Sequence, residues 1–174
     1  MQRQEEEVAT SNKKGSMDQW QNGAVAMMNN QTQSTLSLDR FKNWAGVPST
    51  GSFPQSIGLN SSAHFTHLRG GQYGSIAGVQ YSGINARGVQ CAWILAWQAP
   101  VQDSPPCPPN RVYVTCGPKT TMDAITWDQI ITELDNSLTY DTATDSATKT
   151  SADGNIQDLT PDTATLSANF SLIR

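Results

Sequence analysis

Short strand-like segments with turn residues between them make up most of this chain, and one stretch near the C-terminal third changes the period. Residues 35–41, Thr-Leu-Ser-Leu-Asp-Arg-Phe, switch character at almost every step. That is the pattern of a strand with one face in a core and the other in water. Residues 23–28, 63–68, 75–81 and 111–116 also read as strands, and glycine and proline clusters at 46–54, 70–74 and 117–118 separate them. The most apolar run is residues 91–97, Cys-Ala-Trp-Ile-Leu-Ala-Trp, with its two tryptophans four apart. Four is helical spacing, but it is also an even number. The run is only seven residues long and Pro100 follows it. A helix that short is marginal, and proline cannot continue it. Gly83 and Gly88 bound a turn that joins the run to residues 75–81 as a hairpin. A central strand results, with Cys91, Trp93, Leu95 and Trp97 on one face and the smaller Ala92, Ile94 and Ala96 on the other. The small face calls for a close-packed cover, either a helix or the opposite sheet.

The period changes after Gly117-Pro118. Trp127, Ile130, Ile131, Leu134 and Leu138 fall on one face of a helix. Thr126, with Gln129 three residues on, makes a capping box and sets the start, so the spacing predicts a helix over residues 126–138. Beyond Thr139 the chain is rich in Thr, Ser, Ala and Asp. There Asp153-Gly154 reads as a hairpin turn, with edge strands at 140–150 and 164–173. The pattern predicts a mainly β chain, an antiparallel β-sandwich of about eight strands with one amphipathic α-helix. Residues 1–17 are too polar to pack and read as a disordered arm, leaving 18–174 as a single sandwich domain.

Charge and chemistry narrow the function by exclusion. A formal charge of −4 gives no footprint for nucleic acid. The charge is uneven, however. From Asp123 onward nine acids face only Lys149 and Arg174, whereas from Asp39 to Lys119 six bases face two acids. Two solvated faces that attract each other account for this. His64 and His67 are three apart on a strand, hence on opposite faces, so no metal site is expected. The three cysteines, Cys91, Cys107 and Cys116, lack CxxC spacing and fit a reducing compartment; in an oxidising one a Cys107–Cys116 bond is conceivable. The glycines at 70–74 lack the lysine of a phosphate loop. No acid lies within an apolar strand, where burial would make it a general acid. The expectation is a protein with no cofactor and no catalytic constellation, one that binds rather than turns over.

Trp20, Phe41, Trp44, Phe53 and Tyr73 fall at strand ends or loops. Such aromatics either plug the ends of a sandwich or meet a glycan or a bilayer interface. Trp44, Phe53, Tyr73 and His67 are the candidate ligand-binding residues. The N-terminus has no apolar signal region and no run nears the length of a membrane span. The expected location is cytoplasmic.

Several blocks resemble a known family. Phe41-Lys-Asn-Trp44 with Gly46, Phe53-Pro54, Ile57, Asn60 and Phe65-Thr-His67 form the first. Gly78-Val-Gln-Tyr-Ser-Gly-Ile-Asn85, Gly88, Cys91-Ala-Trp-Ile-Leu-Ala-Trp97 and Pro100 form the second, and Trp127-Asp-Gln-Ile130 with Leu134 the third. Together, over residues 20–140, they are similar to the jasmonate-induced proteins of plants. Where that family tends to carry an acid between the cysteine and the tryptophan, this chain has Ala92. The resemblance implies a cytosolic stress or defence protein without an established activity, and it carries over no site. The function expected is therefore non-enzymatic binding of an unidentified glycan, lipid or protein. A membrane-active, cytolysin-like protein and a lectin-like one are the alternatives.

Overall fold

The apolar run that dominates the sequence becomes the innermost strand. The computed structural model describes residues 22–102 and 106–173; the expected N-terminal arm and Trp20 lie outside these residues. In chain order the elements are β1 (Asn22–Gln31), β2 (Leu36–Ala45), β3 (Val47–Pro48), β4 (Ser56–Ile57), β5 (Ser62–Leu68), β6 (Ser75–Ile84), β7 (Gln90–Ala99), β8 (Arg111–Pro118), α1 (Lys119–Ala124), α2 (Trp127–Asp135), β9 (Tyr140–Asp145), β10 (Thr150–Thr160) and β11 (Thr163–Leu172). One sheet has six strands in the order β3-β5-β1-β11-β10-β9, and the other five in the order β4-β2-β6-β7-β8. Neighbours are antiparallel except for β1 and β11, which pair in parallel. The mainly β sandwich read from the sequence is the observed architecture.

β7 is covered on both faces. Cys91, Trp93, Leu95 and Trp97 enter the core between the sheets, where they meet Met28, Val79, Tyr81, Val114, Leu166 and Phe170. Both indoles find acceptors there: Trp93 Nε1 donates to Ser151 O at 3.0 Å and Trp97 Nε1 to Ser75 Oγ at 2.9 Å. Ala92, Ile94 and Ala96 form the floor of a second core with Met122 of α1 and Ile130 and Leu134 of α2. The cover implied by that small face is thus helical. Gly78 on the adjacent strand supplies the flat spot: a Cβ there would stand 2.9 Å from Trp127 Cζ3.

Two local expectations are corrected. Asp153-Gly154 is not a turn but the middle of β10, with Gly154 paired to both Ala168 and Asp141. The sheets approach so closely there that a Cβ on Gly154 would lie 2.9 Å from Val112 Cγ2. This glycine serves packing between the sheets, and the reversal lies earlier, between β9 and β10, where Lys149 takes φ of 57°. The single strand expected at 140–150 is therefore β9 and the turn, β10 is an additional strand, and the strand expected at an edge over 164–173 is β11, held in the interior of the sheet between β1 and β10. The second correction concerns α2. Its N-terminus is as predicted, with Thr126 Oγ1 accepting from Gln129 N–H while Gln129 Oε1 accepts from Thr126 N–H. It ends at Asp135, however, because Leu138 O accepts from Val112 N–H at 2.8 Å and draws the chain onto the edge of β8. Leu138, expected on the apolar face, is 73% exposed. The sequence pattern also gave no sign of the six-residue α1.

Candidate functional site

The four residues nominated from the sequence do not come together as a surface. Phe53 and His67 are core, at 1% and 0% exposure. Their rings stack at 5.9 Å and 5° between planes, with Trp97 edge-on to both. The segment before Pro54 folds into the gap between the sheets, where Tyr81 Oη donates to Pro54 O at 2.6 Å. This aromatic plug is the bland alternative for Phe53, and it removes both residues from contact with a ligand. Trp44 is half-buried, edge-to-face with Trp127 at 5.8 Å. Tyr73 stands free in a 3-10 turn at Gly71–Tyr73, 64% exposed.

His67 has a defined protonation state. Asn43 Oδ1 lies 3.0 Å from Nε2, and Ser75 Oγ lies 2.8 Å from Nδ1. With the Asn43 amide oxygen as acceptor, Nε2 carries the proton. The Ser75 hydroxyl then donates to Nδ1 while accepting from Trp97. Burial lowers its pKa to about 4, so the ring is neutral at pH 7. It is a satisfied core histidine.

The cations of the basic middle are mostly consumed internally. Arg40 donates through Nη2 to Met122 O and Ile125 O at 2.8 Å and lies 4.8 Å over the Trp127 ring, clamping both helices to the sheet. Buried Gln80 donates to Asp39 and Asp123, and Lys119 reaches the same two carboxylates at 3.3 and 2.9 Å. Arg69 pairs with Asp162 at 3.3 Å, and Arg111 donates to Ser137 O. Cys91, Cys107 and Cys116 are all free thiols, so the conceivable Cys107–Cys116 bond is not formed. Burial pushes Cys91 and Cys116 up, away from thiolate character. Among the described residues no three His, Cys, Asp or Glu side chains converge on a common point for a metal.

The uncommitted groups concentrate at the end of the sandwich where β1 passes to β2. Four tight segments meet there. Asn30 Nδ2 donates to Ser34 O, Ile57 O and Gly58 O; Ser34 Oγ bridges to Ile84. Asn85 Nδ2 donates to Thr148 O, and Ile173 N–H to Lys149 O. Three turns carry positive φ, at Asn60, Gly88 and Lys149. They present Leu59, Ile84, Val89 and Ile173 to solvent at 49, 41, 44 and 38% exposure. Arg87 and Lys149 are exposed beside them, with no acidic partner among the described residues. The acid of these loops, Asp145, is occupied by the N–H and hydroxyl of Thr148. The opposite end also exposes apolar groups, Tyr73, Leu138 and Leu159, but among Asp135, Asp158 and Asp162. Sequence reading passed over the first set because its members are scattered over four separate turns or strand ends. The available signal was aliphatic residues inside glycine- and asparagine-rich turns, such as Ile84 and Val89.

Solved proteins share this architecture. The lipid-binding protein Nakanori superposes with a TM-score of 0.69 over 85% of this chain and 70% of its own, at 16% identity. The Xerocomus chrysenteron lectin XCL gives 0.51 over 85% of this chain and 99% of its own, at 13% identity. At such identities the likeness is one of fold. In sequence, a jasmonate-induced protein homolog from Atriplex canescens is 44% identical over 118 residues, 67% of this chain. The chain spans 63% of that relative's length. Over the matched residues the chain belongs with the jasmonate-induced-like proteins, as its motifs had indicated. No family model matches the sequence.

Proposed function

We propose that this chain is a non-enzymatic plant stress or defence protein of the cytoplasm that docks on membrane surfaces through the β1–β2 end of its sandwich. One observation carries the reading: four exposed aliphatic side chains and two cations with no acidic partner among the described residues share that end, with its acid already hydrogen-bonded. Aliphatic groups enter the acyl boundary while cations meet lipid phosphates, and each cation near an anionic leaflet contributes about 1 kcal/mol. The lipid-binding neighbour supports the class of ligand, and the jasmonate-induced relative supports the stress context. The cytoplasmic leaflet is the anionic one, and free thiols fit that compartment.

Co-sedimentation with phosphatidylcholine, phosphatidylserine-containing and sphingolipid-containing vesicles, with dye release in parallel, tests it. Binding is expected on anionic vesicles and should weaken as salt rises. Arg87→Glu with Lys149→Glu should lower the affinity about tenfold or more. Tyr73→Ser at the opposite end should leave it unchanged. Binding lost with Tyr73→Ser but kept in the double charge reversal would move the site to the other end. No binding to any composition would sink the reading. Dye release would add the membrane-active, cytolysin-like activity.

A further inference from the structure

The solvent face of the six-stranded sheet carries two adjacent rows of polar side chains that differ in one respect. In the first row, Ser62 donates to Asn29, Asn29 Nδ2 to Asn169 Oδ1 at 2.8 Å, and Asn169 Nδ2 to Asp153 Oδ1 at 2.8 Å. This chain of bonds crosses four strands, β5, β1, β11 and β10, and links its amides to one another. The next row, two residues along each strand, aligns His64, Met27, Ser167 and Asn155. Here Gln157 Nε2 donates to Asn155 Oδ1 at 3.2 Å, whereas the Ser167 hydroxyl, the Asn155 Nδ2, the Gln157 Oε1 and both ring nitrogens of His64 have no hydrogen-bond partner among the described residues. They surround Met27 and Val25, which are 37 and 38% exposed at outward positions of the central strand β1. The depression so formed has a volume of about 300 Å³, at the small end of ligand sites.

We infer that this depression is a binding site for a neutral saccharide of one or two rings. No Asp, Glu, Lys or Arg lines it, which disfavours a charged ligand, since such a ligand would lose hydration without gaining a counter-charge. What it offers is an aliphatic floor bordered by free amide, hydroxyl and imidazole groups. A pyranose has the matching halves, an apolar C–H face and a rim of hydroxyls that both donate and accept. Both helices pack on the other sheet, so neither covers this face among the described residues. The inference is independent of membrane docking, because none of these residues belongs to the β1–β2 end.

The test is a titration of the protein, labelled at its methionine methyls, with glucose, galactose, mannose, N-acetylglucosamine and their neutral disaccharides. Met27→Leu assigns the Met27 methyl resonance. At least one neutral sugar is expected to shift that resonance saturably. Asn155→Ala with Gln157→Ala should then weaken binding about tenfold or more without changing the melting temperature, because both side chains lie on the solvent face. The charged sugar N-acetylneuraminic acid serves as the contrast and should bind more weakly than the neutral ones. The inference is overturned if no sugar moves Met27, if binding persists in the double variant, or if the charged sugar binds as well as the neutral ones. Vesicle binding by the double variant should match that of the native chain, which keeps this site separate from the membrane-docking end.

Discussion

His67 shows how one residue can look functional in a sequence and structural in the fold. Its neighbours supply one acceptor and one donor for the neutral ring and no counter-charge for the protonated one. Its folded pKa, about 4, lies below its unfolded value near 6.5. The unfolded chain therefore binds the extra proton between these values. Stability is full above pH 6.5 and falls as pH drops toward 4. The loss should approach about 3 kcal/mol, measured as the urea midpoint against pH. His67→Gln should flatten that dependence, and an unchanged slope would show that other groups carry it. Gly154 is the second such residue. The Asp-Gly pair is a hairpin signal only when the local backbone decides, and here the opposing β8 valines decide. Gly154→Ala should cost about 1–3 kcal/mol, read as a lowered melting temperature, whereas a true turn glycine at that position would not sense Val112 at all.

At the scale of elements, the start of α2 was legible and its end was not. The capping box is a contact between residues three apart, so sequence spacing contains it. Thr126→Ala should destabilise the protein by about 1 kcal/mol, seen as a lower urea midpoint with an unchanged slope; no change would mean that packing on β7 alone holds the first turn. The end of α2 depends on a bond from Leu138 O to β8, some twenty-six residues back along the chain, which no helical periodicity encodes. α1 was missed because six residues carry less than two turns of pattern. Its C-terminal carbonyls are satisfied by Arg40 from a distant strand. β7 was the easiest element to read, since its doubly apolar pattern announces cover on both sides.

At the scale of the whole molecule, several bases of the middle segment are consumed by ion pairs and hydrogen bonds within the protein. Arg69, Lys119 and Arg40 are spent on Asp162, Asp39 and the Met122 carbonyl, all far away in sequence, and Lys119 also holds its near neighbour Asp123. What remains for a ligand is set by which turns the sandwich gathers at one end and which outward positions its sheet aligns. The sequence by itself determined the mainly β class, the central strand, the capped helix and the family. Each follows from periodicity, from contacts a few residues apart or from motifs in order. Only the tertiary structure decided the parallel closure of β1 on β11, the burial of Phe53 and His67, and the grouping of Ile84, Val89, Arg87 and Lys149. Those depend on contacts between residues tens of positions apart. The pairing of strands fixes such contacts, and alternation alone does not say which strands will pair.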